Sequence, residues 1–401
     1  MNILVKLPTR SRPQKAIAVL NEYRRLESGK HNVVYTVLTD DDDPTNTHLR
    51  DYFEDSLVTV FGGRSLSKIH ACNRDTYDGG WQILVLISDD QFCVAQGWDD
   101  IIASHMPEHL DACLHFNDGN RGKELNTLPI MGRARYDKFG YIYHPSYVSL
   151  WADNEFTEVH KPIYVDQVII EHRHPAYHAS VKGDAQLRAT ESWSLVDKQN
   201  YLARMFYGFP KAHPKLTIGI CTVTGREMDL KRLRYVLDPQ LHSDVQVCVN
   251  AHPARTTGFK RQALLNHALG EFVCFIDDDD LVAHNYVDRI LKALHQNPLT
   301  DAVGFTGEMT TSGVNPRRMV HHWYKGKSDW FEAGNTFFRG PTHLNPIRTC
   351  LARRTGFKDI TLAEDFDYAQ RVHPLIRSGT NLDDPPLYYY LFQHKKAPPR
   401  L

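Results

Sequence analysis

Apolar residues along this chain come in short, nearly uninterrupted runs, each ending in a polar turn and followed by a stretch of helical period. The first run is Ile3-Leu4-Val5-Lys6-Leu7, then the turn Pro8-Thr9-Arg10-Ser11-Arg12, then an amphipathic stretch to Leu26. Much later, Leu216-Thr217-Ile218-Gly219-Ile220-Cys221 leads into Thr222-Val223-Thr224-Gly225-Arg226 and a helical stretch to Leu237. Both read as strand, polar turn, helix. Each half then continues in the same order. A second strand is expected at Val33 to Leu38, and again at Val245 to Asn250. Next comes a helix with a basic residue five positions before an asparagine, Lys68 to Asn73 and Arg261 to Asn266. An apolar strand then runs into acids: Ile83-Leu84-Val85-Leu86-Ile87-Ser88-Asp89-Asp90 in one half, Phe272-Val273-Cys274-Phe275-Ile276-Asp277-Asp278-Asp279-Asp280 in the other.

Alternating strands and helices with continuous apolar strands predict an α/β fold whose sheets are mainly parallel and covered on both faces. Matching features lie about half a chain apart, so two tandem α/β domains are expected, over residues 1–207 and 216–401. The segment 208–215 between them, with Pro210 and Pro214, suits a linker.

Composition narrows this picture only a little. The 401 residues are 42% hydrophobic and 24% charged, as in a globular protein. No run approaches the roughly 18 apolar residues of a membrane-spanning helix, and the first residues lack a signal-peptide pattern. The 7 cysteines form no CxxC pair or disulfide framework, which points to a reducing compartment. A cytoplasmic location is expected, that of the host if the chain is viral. A net charge of -1 offers no global footprint for nucleic acid or membrane. No feature calls for an obligate protein partner.

The acids change the picture more. A strand ending in carboxylates sets them at the carboxyl edge of a parallel sheet, where open α/β sheets bind ligands. Four adjacent acids repel one another unless something positive sits among them, and a hard cation such as Mg2+ or Mn2+ suits carboxylate oxygens. Such a cation can bridge a diphosphate and stabilise a departing nucleotide. The competing reading, a solvated turn or a helix cap, is weakened by the recurrence of the device in both halves.

The stretch from Lys260-Arg261-Gln262 through Asn266 and Gly270-Glu271 to Asp280 resembles the donor-binding half of family-2-type GT-A glycosyltransferases. The resemblance implies two tandem GT-A, Rossmann-like domains and metal-dependent transfer from a nucleotide-sugar, a UDP-sugar above all, to an acceptor hydroxyl. It implies that Asp277 and Asp279, at the DxD positions, bind metal and sugar-nucleotide, and that Arg261 assists the nucleotide. Thr222, Arg226, Asn266 and Asp278 complete the implied donor contacts. Leu362-Ala363-Glu364-Asp365-Phe366 looks like the family's "ED" motif, which makes Asp365 the acceptor base with Glu364 beside it, in an inverting transfer. Pro386 to His394 looks like the last strand, with His394 a third metal contact.

The first half fits the same pattern less cleanly. Aligned on the isoleucines, Ser88 stands where Asp277 stands and Asp90 where Asp279 stands, so one acid is missing. The implied donor contacts there are Thr9, Arg12, Lys68, Asn73 and Asp89. His144 to Phe156 resembles the acceptor loop with its acids Asp153 and Glu155. Glu171-His172-Arg173-His174-Pro175 would be the late histidine-bearing strand, with Asp90, His172 and His174 as metal ligands.

Between the two acidic motifs of the second half, Arg317 to Lys327 is basic with interleaved aromatics, followed by Trp330, Phe331 and the segment Arg339 to Arg348. Such a mixture suits sugars, phosphates or flipped bases. Two-module chains with a His-Leu-Asn-Pro segment resemble enzymes of bacteriophages and other viruses, which implies a possible DNA acceptor, a hydroxymethylated pyrimidine. A polysaccharide or small-molecule acceptor stays open. So do nucleotidyl transfer, against which the absence of a Gly-rich phosphate loop counts, and a non-catalytic sugar-nucleotide binding module.

Overall fold

The computed structural model describes residues 1–53, 58–76, 79–178, 180–326 and 330–392. The chain divides into two compact units, Met1–Tyr201 and Leu202–Leu401.

The first unit is built on a seven-stranded sheet. Strand β1 (Asn2–Pro8) is followed by helix α1 (Pro13–Arg25), β2 (Asn32–Leu38) and β3 (Val58–Phe61). Pro13 starts α1, where its missing N–H costs nothing, and Ala16, Val19, Leu20 and Tyr23 form its buried face. Helix α2 (Lys68–Asn73), β4 (Ile83–Leu86), β5 (Gln91–Cys93), β6 (Cys113–Asn117) and β7 (Ile130–Gly132) come next. Helix α3 (Ala152–His160), β8 (Ile163–Val168) and β9 (Ile170–His172) follow. The strand order is β3-β2-β1-β4-β7-β6-β8, with β5 and β9 forming a separate antiparallel pair. Strands β1 to β4 are mutually parallel, whereas β7 runs antiparallel to both β4 and β6.

The second unit repeats this plan. It contains β10 (Leu216–Cys221), α4 (Glu227–Leu237), β11 (Val245–Asn250), α5 (Thr257–Asn266), β12 (Phe272–Asp277), β13 (Leu281–Val282) and α6 (Tyr286–Gln296). Then come β14 (Ala302–Thr311), β15 (Val314–His321), β16 (Phe331–Ala333), β17 (Thr336–Arg339) and β18 (Ile347–Arg348). Helices α7 (Thr349–Thr355) and α8 (Glu364–Val372) and strands β19 (Gly379–Leu382) and β20 (Tyr388–Phe392) complete it. Strands β11, β10 and β12 are parallel, and the short β18 lies antiparallel between β12 and β14. Position for position this matches β2, β1, β4, β7 and β6. The sheets are therefore parallel-rich, as expected, but each is mixed, since a short reversed strand lies within it. The reversal is legible only in space, because β18 and β7 have two and three residues and too little pattern to announce a direction.

Helix α5 brings the parts of the second unit together. Thr256 caps it by accepting from the Phe259 N–H at 3.0 Å. The turn before α8 lies flat on it: Gly258 N–H donates to the Ile360 carbonyl at 2.9 Å, and Phe357 N–H to the Gln262 side chain at 2.8 Å. A methyl group at Gly258 would come within 1.8 Å of the Lys358 carbonyl oxygen. Gly258→Ala is therefore expected to destabilise the fold by about 1–3 kcal/mol, as overpacked contacts do. A fall in Tm of several degrees by calorimetry checks this; an unchanged Tm would show that the turn does not bear on α5.

Candidate active site

The four acids that follow β12 occupy four different environments. Asp277 lies between two basic side chains, with Arg261 Nη2 hydrogen-bonded to one oxygen at 2.7 Å and His343 Nε2 3.6 Å from the other. Burial would raise its pKa, but the Arg261 charge and then His343 hold the carboxyl well below the usual carboxylate range. Asp278 is buried, with one oxygen 2.7 Å from Arg226 Nη1 and the other without a hydrogen-bond partner. Asp279 is a third exposed, 3.1 Å from the same guanidinium. Burial and then the neighbouring acids, against Arg226, push its pKa up. Asp280 turns inward, accepting from the Tyr388 hydroxyl at 2.7 Å and the Leu391 N–H at 2.8 Å. It belongs to the support of the site, since it ties β12 to β20.

Helix α8 begins after Ala363, whose φ of 60° lies in the left-handed region. The turn aims Glu364 at α5, where its carboxylate meets Arg261 Nη1 at 2.5 Å. One buried guanidinium thus spans Asp277 and Glu364, and both acids raise its pKa against the cost of burial. Asp365, the next residue, accepts from the Phe366 N–H at 2.8 Å. Beside it stand Phe366 and Trp330, ring centres 4.9 Å apart, with Arg339 4.4 Å over the Trp330 ring.

The Pro341–Pro346 segment forms the floor. Asn345 is fully buried and its amide bridges the Val303 and His321 carbonyls at 3.0 and 3.1 Å. The His343 carbonyl accepts from Phe275 N–H at 2.8 Å, which sets the ring beside Asp277. His343 was not among the sequence candidates. Its only signal was membership of the His-Leu-Asn-Pro segment, which by itself does not say what the ring faces. At the carboxyl ends of β10 and β11, a cleft of about 360 Å³ is lined by Thr222, Val223, Thr224, Glu227, Leu230, Lys231, Arg234 and Ala251. Asn266 takes no part in this assembly, since its side chain accepts from Gln262 within α5 at 2.8 Å.

The first unit carries a related but tighter arrangement. Asp89 accepts from Thr9 and Arg12, both at 2.9 Å, as Asp278 accepts from Arg226. Arg12 is also gripped by Asp184, at 2.8 and 2.5 Å. Asp90 lies 3.6 Å from His172 Nε2 and accepts from Ser88. Burial opposes its charge, but His172 holds its pKa well below the usual range. Lys68 acts electrostatically on both Asp90 and Asp153. Asp153 stands in the first turn of α3 after the left-handed Trp151, as Asp365 stands in α8 after Ala363. Glu155 points elsewhere, buried and 2.8 Å from the Tyr147 hydroxyl. Asn73 is committed to the backbone of Ile142 and Tyr143. The His174 ring accepts from Ala176 N–H at 3.1 Å, its centre 5.7 Å from that of His172.

Among the described residues no group of three or more His, Cys, Asp or Glu side chains is placed to share a cation. His394 and Lys327 lie outside the described residues. Among the described residues no helix is long and apolar enough to cross a membrane.

Residues 233–361 match the family model for glycosyl transferase family 2. The match takes in Arg261, the acid run and His343, and stops short of Glu364 and Asp365. It supports a glycosyltransferase. Solved structures similar to this chain include S. aureus TarS, at 15% identity over 44% of this chain and 36% of that one, TM-score 0.33. TarS 1-349 in complex with UDP-GlcNAc aligns at 15% over 46% and 60%, TM-score 0.34. The mannosyltransferase PcManGT from Pyrobaculum calidifontis, in complex with GDP-Man and Mn2+, aligns at 13% over 50% and 64%, TM-score 0.38. The chain thus spans less than two thirds of each of these structures. No curated protein matches it.

Removing the central cation would leave the buried Glu364 and the part-buried Asp277 without their shared partner. Arg261→Met is expected to cost about 3–5 kcal/mol at neutral pH, the penalty of breaking a buried pair. Arg226→Met would leave the buried Asp278 carboxylate without its partner and should cost about 1–3 kcal/mol, less than Arg261→Met because the arginine itself is part-exposed. Asp277's lowered pKa means that its contribution is present above the unfolded carboxylate pKa and lost as pH falls below it. The gap between wild type and Arg261→Met in urea denaturation should therefore narrow on acidification. The unfolded value is 3.8, so the gap should hold down to about pH 4 and close below it, and a gap that stays constant below pH 4 would overturn the assignment.

Proposed function

We propose that the chain is a glycosyltransferase whose second unit moves a sugar from a nucleotide-sugar, a UDP-sugar, to an acceptor hydroxyl with inversion. The observation that carries this is the single guanidinium of Arg261 joining Asp277 to Glu364. Donor chemistry and acceptor chemistry need acids on either side of one reacting carbon, and these motifs lie far apart in sequence. Arg261 supports their convergence.

In this reading the cleft around Thr222 takes the nucleoside, and Arg226 and Asp279 meet the diphosphate at its edge. The donor set fits a hard cation of the kind that takes one or two carboxylates and completes its shell with substrate phosphates. Asp279 is the accessible carboxylate, Asp277 stands behind it, and the raised pKa of Asp279 marks a site short of positive charge. Mn2+ or Mg2+ bound there would neutralise the charge gathering on the departing diphosphate. Arg261 and His343 hold Asp277 in place. Asp365 takes the proton from the acceptor hydroxyl as that oxygen attacks the anomeric carbon, opposite the leaving nucleotide. Trp330, Phe366 and Arg339 form the acceptor wall.

The first unit, in the same reading, is a related site with one acid fewer, and Arg12 is already engaged by Asp184. We assign turnover to the second unit. The hydroxymethylated pyrimidine of DNA and glycan hydroxyls are the acceptor classes to be separated by experiment.

Turnover is to be followed with UDP- and GDP-sugars, Mn2+, and acceptors that include hydroxymethylated DNA and oligosaccharides. Asp365→Asn should lower the rate by about 10²–10⁴-fold, the usual worth of a general base, with donor affinity kept. Asp279→Ala should lose donor affinity as well as turnover. Asp90→Asn should leave turnover unchanged. Activity retained in Asp365→Asn or Asp279→Ala sinks the assignment; activity lost in Asp90→Asn moves the chemistry to the first unit.

A further inference from the structure

Strands β15 and β17 pair in parallel, Arg318 opposite Thr336 and Val320 opposite Phe338. Side chains alternate across such a pair. Met319 and Phe337 enter the core, and His321 stacks on Phe305 at 6.1 Å, on the face that backs the acids. Arg318, Val320, His322, Thr336 and Phe338 fall on the other face, and with Tyr324 and Asp383 they line a cleft of about 270 Å³. This cleft is separate in lining from the one around Thr222.

Its lining is mixed: Val320, Phe338 and the Tyr324 ring offer apolar surface, and Arg318, His322, Thr336 and Asp383 offer polar groups. The His322 side chain is only 7% exposed. Its Nδ1 meets the Tyr324 hydroxyl at 3.1 Å, while Nε2 has no hydrogen-bond partner, the nearest carboxylate oxygen, on Asp383, being 3.8 Å away. A buried polar atom left open beside a cleft marks a place for a ligand's hydroxyl. Burial pushes the imidazole pKa down, against Asp383, so the ring faces the cleft uncharged. Tyr324 is 49% exposed, and Phe338 is backed by Phe331 stacked at 4.7 Å, so flat apolar surface is on offer. No cation is left over: Arg318 lies 3.0 Å from Asp384, and the exposed Asp383 adds a second carboxylate at the mouth. A nucleic acid or a phosphate would meet these carboxylates without surplus cations to balance them. A pyranose would not, since it presents an apolar C–H face for the rings and hydroxyls for His322 and Asp383.

We propose that this cleft binds one uncharged pyranose unit of the acceptor, on the side of the β15–β17 ribbon away from the acids. Its place in the acceptor rests on the glycosyl-transfer reading; the binding itself does not.

The test is saturation-transfer NMR on the full chain without donor, with the methyl glycosides of glucose, galactose, mannose and N-acetylglucosamine. Glucose 6-phosphate and an oligothymidylate serve as charged comparisons. At least one neutral glycoside should bind saturably, and more tightly than either charged probe. Tyr324→Ala and His322→Ala should each weaken it tenfold or more, and His322→Gln should restore part of the loss. Asp279→Ala should leave it intact. Thermal melts of the variants separate lost binding from lost fold. The proposal is overturned if no neutral glycoside binds, if the charged probes bind better, if the folded cleft variants bind as wild type does, or if Asp279→Ala abolishes binding. Glycoside binding without turnover on any donor would leave this cleft standing and remove the transferase reading instead.

Discussion

A buried guanidinium holds the second unit's chemistry in place. Arg261 sits on α5, reaches Asp277 with one nitrogen and Glu364 with another, and is 3% exposed. A buried charge is costly unless it is paired and hydrogen-bonded, and each of these three groups supplies what the others need. The carboxylates could not sit so deep without the cation, nor the cation without them. Because the pair joins a strand end to a helix start, it also sets where the exposed acids Asp279 and Asp365 stand. The turn on Gly258 and the Asn345 clamp are ways of bringing those parts within reach of one side chain.

From that pairing follows the division of labour within Asp277–Asp280. Four like charges in a row cannot all face one ligand, and the protein answers each separately. Asp277 is held by Arg261, Asp278 by Arg226, and Asp280 by the Tyr388 hydroxyl and a backbone amide. Only Asp279 keeps substantial exposure together with a raised pKa. A cluster that looks uniform in sequence is, in space, two buried supports and two part-exposed acids, of which Asp277 is tied to Arg261 and Asp279 is the one with a raised pKa.

Much of this was readable from the residues. Apolar strand runs ending in acids located β4 and β12, and the doubled order of features matches the shared sheet plan of the two units. The basic residue on the helix before the acids was expected to assist a nucleotide, whereas Arg261 lies buried between Asp277 and Glu364. What escaped the sequence depends on contacts between distant segments. The two-residue β18 has too little pattern to show that it reverses the sheet. Glu155 and Asp153 are equally acidic on paper, and only the left-handed Trp151 and the Tyr147 hydroxyl sort the one near Lys68 from the one in the core. Asn73 and Asn266 share a spacing that suggested a common binding role, yet both serve local packing. His343 could not be placed, because its position depends on a backbone bond to Phe275 across the sheet.

The comparison of the two units carries the physical argument further. Arg12 and Arg226 follow equivalent strands and meet equivalent acids, Asp89 and Asp278. Arg12 is 15% exposed and its remaining nitrogens are taken by Asp184, so an incoming phosphate would have to displace a forked carboxylate of the same charge. Arg226 is 40% exposed, and its second partner is the accessible Asp279. A ligand there competes with the part-exposed Asp279 contact and can use the exposed edge of the guanidinium while Asp278 keeps its hold from below. The same scaffold thus holds one arginine closed and leaves the other exchangeable. That difference in partners, more than the substitution of Ser88 for an acid, is what favours the second unit as the place where an anionic donor can enter and leave.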